Sequence, residues 1–189
     1  SQGSSLIEHH KRSLPDLEKI QGVSPAGDLA VGDVIIVRDV NNFYHPLAIM
    51  ADGDHWFEKK LISQTGINDT ASYSIVFPIN GIIQDDGYIE VHLWSPTERV
   101  ANSKITLNDF VLSPEMIVVE DQYGDGGKEI KIDVMIPGTV LKNGDNVLDL
   151  DIFGDNDSSV AMVYLDRVIL RVKQQIQLKD GGFIFKSVQ

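Results

Sequence analysis

The chain has 189 residues, 42% hydrophobic and 23% charged, with a formal net charge of −12. This is an ordinary globular composition, long enough for one sizeable core or two small ones. So acidic a surface repels nucleic acid and anionic membrane, and no basic run exceeds Lys11-Arg12 or Lys59-Lys60. Cysteine is absent, which excludes disulfides, thiolate metal sites and cysteine nucleophiles, and no apolar run reaches the length of a membrane span. In chain order, residues 1–28 stand apart: Leu6, Leu14, Leu17 and Ile20 fall at loose helical spacing, and Pro15 suits a helix first turn. They read as a tail with a short helix, followed by the linker "GVSPAGD". No signal peptide is visible, and "SQGSS" reads as a trimmed terminus.

From Asp33 onward the period changes to two, and residues 29–189 are expected to form one β domain ending in a C-terminal hairpin. Strands are read at 33–38, 55–62, 71–79, 88–94, 103–107, 116–120, 129–136, 146–152, 160–172 and 183–188. In 129–136, Ile130, Ile132, Val134 and Ile136 oppose Glu129, Lys131 and Asp133. In 88–94, Ile89, Val91 and Leu93 oppose Glu90 and His92. In "VLKNGDNVLDLDIFG" (140–154), Leu148, Leu150 and Ile152 face a core and Asp149 and Asp151 face outward, while Asn143-Gly144 supplies a positive-φ turn. Roughly ten short strands with turns about every 8–12 residues, half-polar and without helical alternation, predict an all-β antiparallel sandwich or barrel.

Three segments then fall in a familiar order. "ITLNDF" (105–110) places a strand before a turn. Ile136, Pro137, Leu141, Lys142, Gly144, Asn146 and Leu148 follow an "iP-x-x-L-k-x-G-x-N-x-l" pattern. Asp166, Val168, Leu170 and Val172 follow a "D-x-I-x-L-x-V" strand. Over residues 70–172 the chain resembles the galactose-binding-like jelly roll, found in carbohydrate-binding modules and accessory domains. The turn that reads Asn-Gly in that pattern is Asn108-Asp109 here. Residues 43–63 followed by such a sandwich are also similar to the β-rich region of gingipain-type surface proteins. The resemblance implies a jelly-roll fold, a secreted, periplasmic or cell-surface setting, and a ligand that is a glycan, a protein or another partner.

Candidate chemistry lies in loops. Acidic groups occur at Asp52, Asp54 and Glu58, at Glu120, Asp121, Asp125 and Glu129, and at Asp151, Asp155, Asn156 and Asp157. Oxygen ligands on Gly-containing loops suit Ca²⁺, and the set Asp151, Asp155 and Asp157 is the candidate for a structural calcium ion; no cofactor is required. The bland alternative is solvated turns, where Asp and Asn are favoured. His45, His55 and His92 lack metal spacing. Tyr44, Trp56, Tyr88, Trp94 and Tyr123 are the aromatic candidates for a glycan, since sugars stack C–H faces on aromatic rings, and Trp56, Trp94 and Tyr123 with Asp54 form the candidate ligand-binding set. Against this, both tryptophans could cap the core.

No G-x-S-x-G elbow and no phosphate loop is present, so no enzyme is expected. The reading is a non-catalytic interaction module for a protein partner or neighbouring domain. The alternative is a carbohydrate-binding module. The C-terminal hairpin, Val163–Val188, is expected to lie partly outside the sandwich and to support a homo-oligomer.

Overall fold

The computed structural model describes residues 29–45, 56–64, 66–96, 101–117, 127–154, 160–179 and 182–183. The expected N-terminal helix lies outside these residues. The described chain is all-β and has no helix. Its strands are β1 (Leu29–Asp39), β2 (Phe43–Tyr44), β3 (Trp56–Phe57), β4 (Lys59–Gln64), β5 (Ala71–Ile79), β6 (Gly87–Ser95), β7 (Ala101–Leu107), β8 (Phe110–Ile117), β9 (Lys128–Ile136), β10 (Gly144–Gly154), β11 (Val160–Lys179) and β12 (Gly182–Phe183). They form an antiparallel jelly-roll sandwich. One sheet runs β1-β11-β6-β9, with β4 and β12 also on β11; the other runs β5-β10-β7-β8. Strands β2 and β3 make a separate two-stranded ribbon.

The inward residues read from the period-two pattern fill the space between the sheets. Ile75, Phe77 and Ile79 of β5, Ile89, Val91 and Leu93 of β6, Ile132 and Ile136 of β9, and Leu148, Leu150 and Ile152 of β10 are all buried. Removing this much apolar surface from water is the main driving force for the fold. Outward Asp149 and Asp151 accept hydrogen bonds from Ser74 and Ser72 of the neighbouring strand.

Strand β11 corrects the hairpin expectation. It is the central strand of the large sheet, and Val163, Leu165, Val168, Leu170 and Val172 are buried in the core. β6 lies along one edge; along the other lie β4, opposite residues 160–165, and β1, opposite 167–177. Strands β1 and β4 are therefore collinear on the same edge of β11. The pairing with β6 slips at Asp166, at the point where β4 gives way to β1. The run beyond Val172 does not leave the sheet but pairs with β1 as far as Gln177.

The turns explain the motif residues. Gly144 holds φ +92°, and Asn108 and Asp109 hold +50° and +67°. Asn108-Asp109 thus closes a two-residue hairpin between Leu107 and Phe110 with both central φ angles positive. Asn146 is fully buried. Its carbonyl oxygen accepts from Lys142 N at 3.0 Å and Asn108 Nδ2 at 2.8 Å, and its amide donates to Lys142 O at 2.8 Å and Gly144 O at 3.0 Å. Asn108 Oδ1 in turn accepts from Val147 N at 3.0 Å. Two asparagines therefore satisfy the backbone of two adjacent turns, which is why the pattern demands amides there.

Candidate functional site

Between the collinear strands β1 and β4 in the sequence, the β2–β3 ribbon packs on the outer face of the large sheet. Phe43 pairs with Phe57 and Tyr44 with Trp56. Adjacent ribbon residues point to opposite sides. Phe57 turns down and is fully buried against Trp94 and Tyr164 of the sheet, with ring centroids 5.6 Å and 5.1 Å away. Trp94 and Tyr164 lie 5.5 Å apart, and the His45 ring sits 4.7 Å from Trp94 and 5.2 Å from Tyr164. Burial, with Lys60 nearby, lowers the His45 pKa. Gly127, at φ +68°, approaches so closely that an added Cβ would stand 2.5 Å from Trp94 Cζ2. This second small core lies outside the sandwich and carries the ribbon.

On the ribbon's upper side Tyr44 is 56% exposed and Trp56 44%, their centroids 5.2 Å apart. Phe43, the partner of Phe57 on the ribbon's other side, is 42% exposed and lines a separate shallow groove of about 410 Å³ with Lys59, Lys60, Asn68 and Ser72. The Lys59 ammonium lies 5.3 Å from the Tyr73 ring centre and that of Lys60 5.6 Å from Tyr164.

The base of the ribbon is tied to both sheets. Asn42 N donates to Phe57 O at 2.9 Å, and Glu58 N donates to Leu165 O at 2.8 Å. The buried Glu58 carboxylate accepts from Arg38 Nε of β1 at 2.7 Å and from Tyr73 Oη of the opposite sheet at 2.8 Å. Burial works to lower the Arg38 pKa, but its bond to Glu58 prevails and raises it; burial and the same carboxylate raise that of Tyr73. Glu58, read from sequence as one of a loop's acidic groups, is instead an internal anchor.

The predicted site residues separate. Trp56 lies on the exposed platform. Trp94 is 1% exposed and enclosed by aromatic rings, so it offers no face to a ligand. Tyr123 and Asp54 lie outside the described residues, as do Asp155 and Asp157. Asp151 is half-buried on β10 and accepts the Ser72 hydroxyl at 2.6 Å. Among the described residues no cluster of three or more His, Asp or Glu could hold a metal ion. No helix of the described chain is long and apolar enough to cross a membrane. Sequence reading missed Phe43 and the groove; the only local signal was the "FYH" stretch after β1, too short to show a period.

No protein-family model and no curated protein matches the sequence. Solved structures do. Dimeric latent PorU from Porphyromonas gingivalis is similar at TM-score 0.54 and 13% identity, over 84% of this chain and 14% of that one. The chain thus spans a small part of that protein's length. A family 35 carbohydrate-binding module from an environmental isolate is similar at TM-score 0.43 and 12% identity, over 79% and 95% of the two chains. A family 36 module in complex with calcium and xylotriose is similar at 0.36 and 15%, over 74% and 98%. The likeness to PorU agrees with the jelly-roll architecture and with the resemblance read from the sequence.

Proposed function

We propose that this domain is a non-catalytic carbohydrate-binding module of a secreted or surface protein, and that it takes glycan on the β2–β3 ribbon. The observation that carries the proposal is the exposed Tyr44–Trp56 pair, held from below by Phe57, Trp94 and Tyr164. An exposed aromatic pair on a rigid support loses little entropy when a sugar ring stacks on it. A separate groove, reached from the ribbon through Phe43, carries an amide, a hydroxyl and two ammonium groups that suit sugar hydroxyls. Of the two readings drawn from sequence, this was the alternative. The platform favours it over the protein-partner reading, since protein contact does not require a pair of exposed rings on a rigid support.

Affinity electrophoresis through gels containing single polysaccharides tests it. At least one polysaccharide should retard the protein, and Trp56→Ala should weaken that binding about tenfold, the loss expected from one stacking contact of about 1–1.5 kcal/mol. The melting temperature should stay unchanged, because Trp56 is half-exposed. Retardation that survives both Trp56→Ala and Tyr44→Ala would place binding elsewhere.

A further inference from the structure

The two ends of the large sheet are built differently. At one end the outward side chains of β9 are Glu129, Lys131, Asp133 and Met135, and Lys131 pairs with Glu90 at 3.0 Å and Asp133 at 3.2 Å. Charges of this kind discourage another strand from adding to an edge. At the other end is β1, eleven residues long and the terminal strand of the sheet among the described residues. Its outward residues are Val31, Asp33, Ile35, Val37 and Asp39, and Val31, Ile35 and Val37 are 56%, 55% and 50% exposed. Neither Lys nor Pro interrupts that face. The apolar surface continues inward from Val37 to its partner Ile169 on β11.

We infer that β1 is a self-association edge: a second copy of this chain adds its own β1 in antiparallel fashion, joining the two large sheets into one. The strand's charge pattern specifies the partner. A two-fold axis at Val34 makes the pairs symmetrical, so that Val31 of one copy faces Val37 of the other, twice. Asp33 faces Ile35, and Asp39 faces the position of Leu29. No carboxylate is opposite another, and the strand pairs along its whole length. With the axis at Asp33 that residue faces itself, and with the axis at Ile36 Asp33 faces Asp39, where like charges destabilise; an axis at Ile35 opposes no carboxylates but leaves positions 29 and 30 without partners in the strand. Each copy also carries a net charge of −12, so salt that screens this repulsion should strengthen the association. The surface is separate from the aromatic platform, so the inference does not rest on glycan binding.

The test is sedimentation equilibrium of the full chain at low salt and at about 0.5 M salt. A dimer that tightens with salt is expected. Val31→Asp alone, or Val37→Lys alone, should weaken it at least tenfold with no change in melting temperature. The double variant should restore it, because position 31 faces position 37 across the axis. Since the chain has no cysteine, Val34→Cys should give a disulfide-linked dimer under mild oxidation; directly opposed residues have Cα atoms about 4.5–5.5 Å apart, within disulfide range. A chain that stays monomeric up to about 100 μM, a weak affinity, overturns the inference. So does a dimer indifferent to Val31→Asp, or one that the double variant fails to restore.

Discussion

Single side chains divide the labour unevenly, and parity along a strand does not reveal which of them carry it. Asn146 looks from sequence like one more polar residue in a turn, yet it is fully buried and serves four backbone groups and Asn108. Asn146→Ala strands those groups away from water, and each buried unsatisfied group costs about 1–3 kcal/mol. A loss of about 3 kcal/mol in urea unfolding is the expected result, and a change below about 0.5 kcal/mol, the scale of ordinary surface substitutions, would show that water replaces the amide. Trp94 and Trp56 show the same lesson from the other side. Both fall on non-core positions, but Trp94 is covered by Phe57 and Trp56 is not. That cover arrives from a segment some 40 residues earlier in the chain, which no local pattern contains.

At the scale of elements, alternation made the sandwich legible. Residues 71–79 were read with the boundaries β5 has, and Ile89, Val91 and Leu93 were assigned to the face they occupy. Strands β2 and β8 were harder to read. β2 has two residues, and β8 begins at Phe110 directly after a turn that lacks glycine. The Asn108-Asp109 hairpin shows why that turn was difficult. Such a turn needs positive φ twice, and an Asn-Gly pair is the strongest signal for it. Asp109 holds φ +67° without glycine's freedom. Asp109→Gly should therefore stabilise the protein by up to about 1 kcal/mol, since Gly relieves that φ but loses more entropy on folding. Thermal unfolding gives the sign, and a destabilised variant would mean that the Asp109 side chain holds the turn. For the site, the aromatic residue type was legible at Trp56. The ribbon, the groove and the Glu58 anchor were not, because each depends on three elements meeting.

Across the molecule, surplus negative charge makes the few cations decisive. Glu90, on the outer face of the large sheet, receives Arg171 at 2.9 Å and Lys131 at 3.0 Å. Burial works to raise its carboxyl, but those hydrogen bonds prevail and hold it at about 2. Because the folded-state pKa lies below the ordinary value of 4.5, the stabilisation is fully present above that value and is lost as pH falls toward 2. Melting temperature should therefore drop more steeply for the native protein than for Glu90→Gln between pH 4.5 and about 2; parallel curves would show that Glu90 is not the group that responds. The position of β11 has a further consequence, one for biosynthesis. β1, β4 and β6 hydrogen-bond to a strand that comes after all of them, at residues 160–179. Until that strand is made they have no central partner, so the large sheet cannot assemble as the chain leaves the ribosome. Contacts this distant in sequence form slowly. Until then the apolar faces of β1, β4 and β6 lack that cover, which leaves the nascent chain exposed to aggregation when chaperones are scarce.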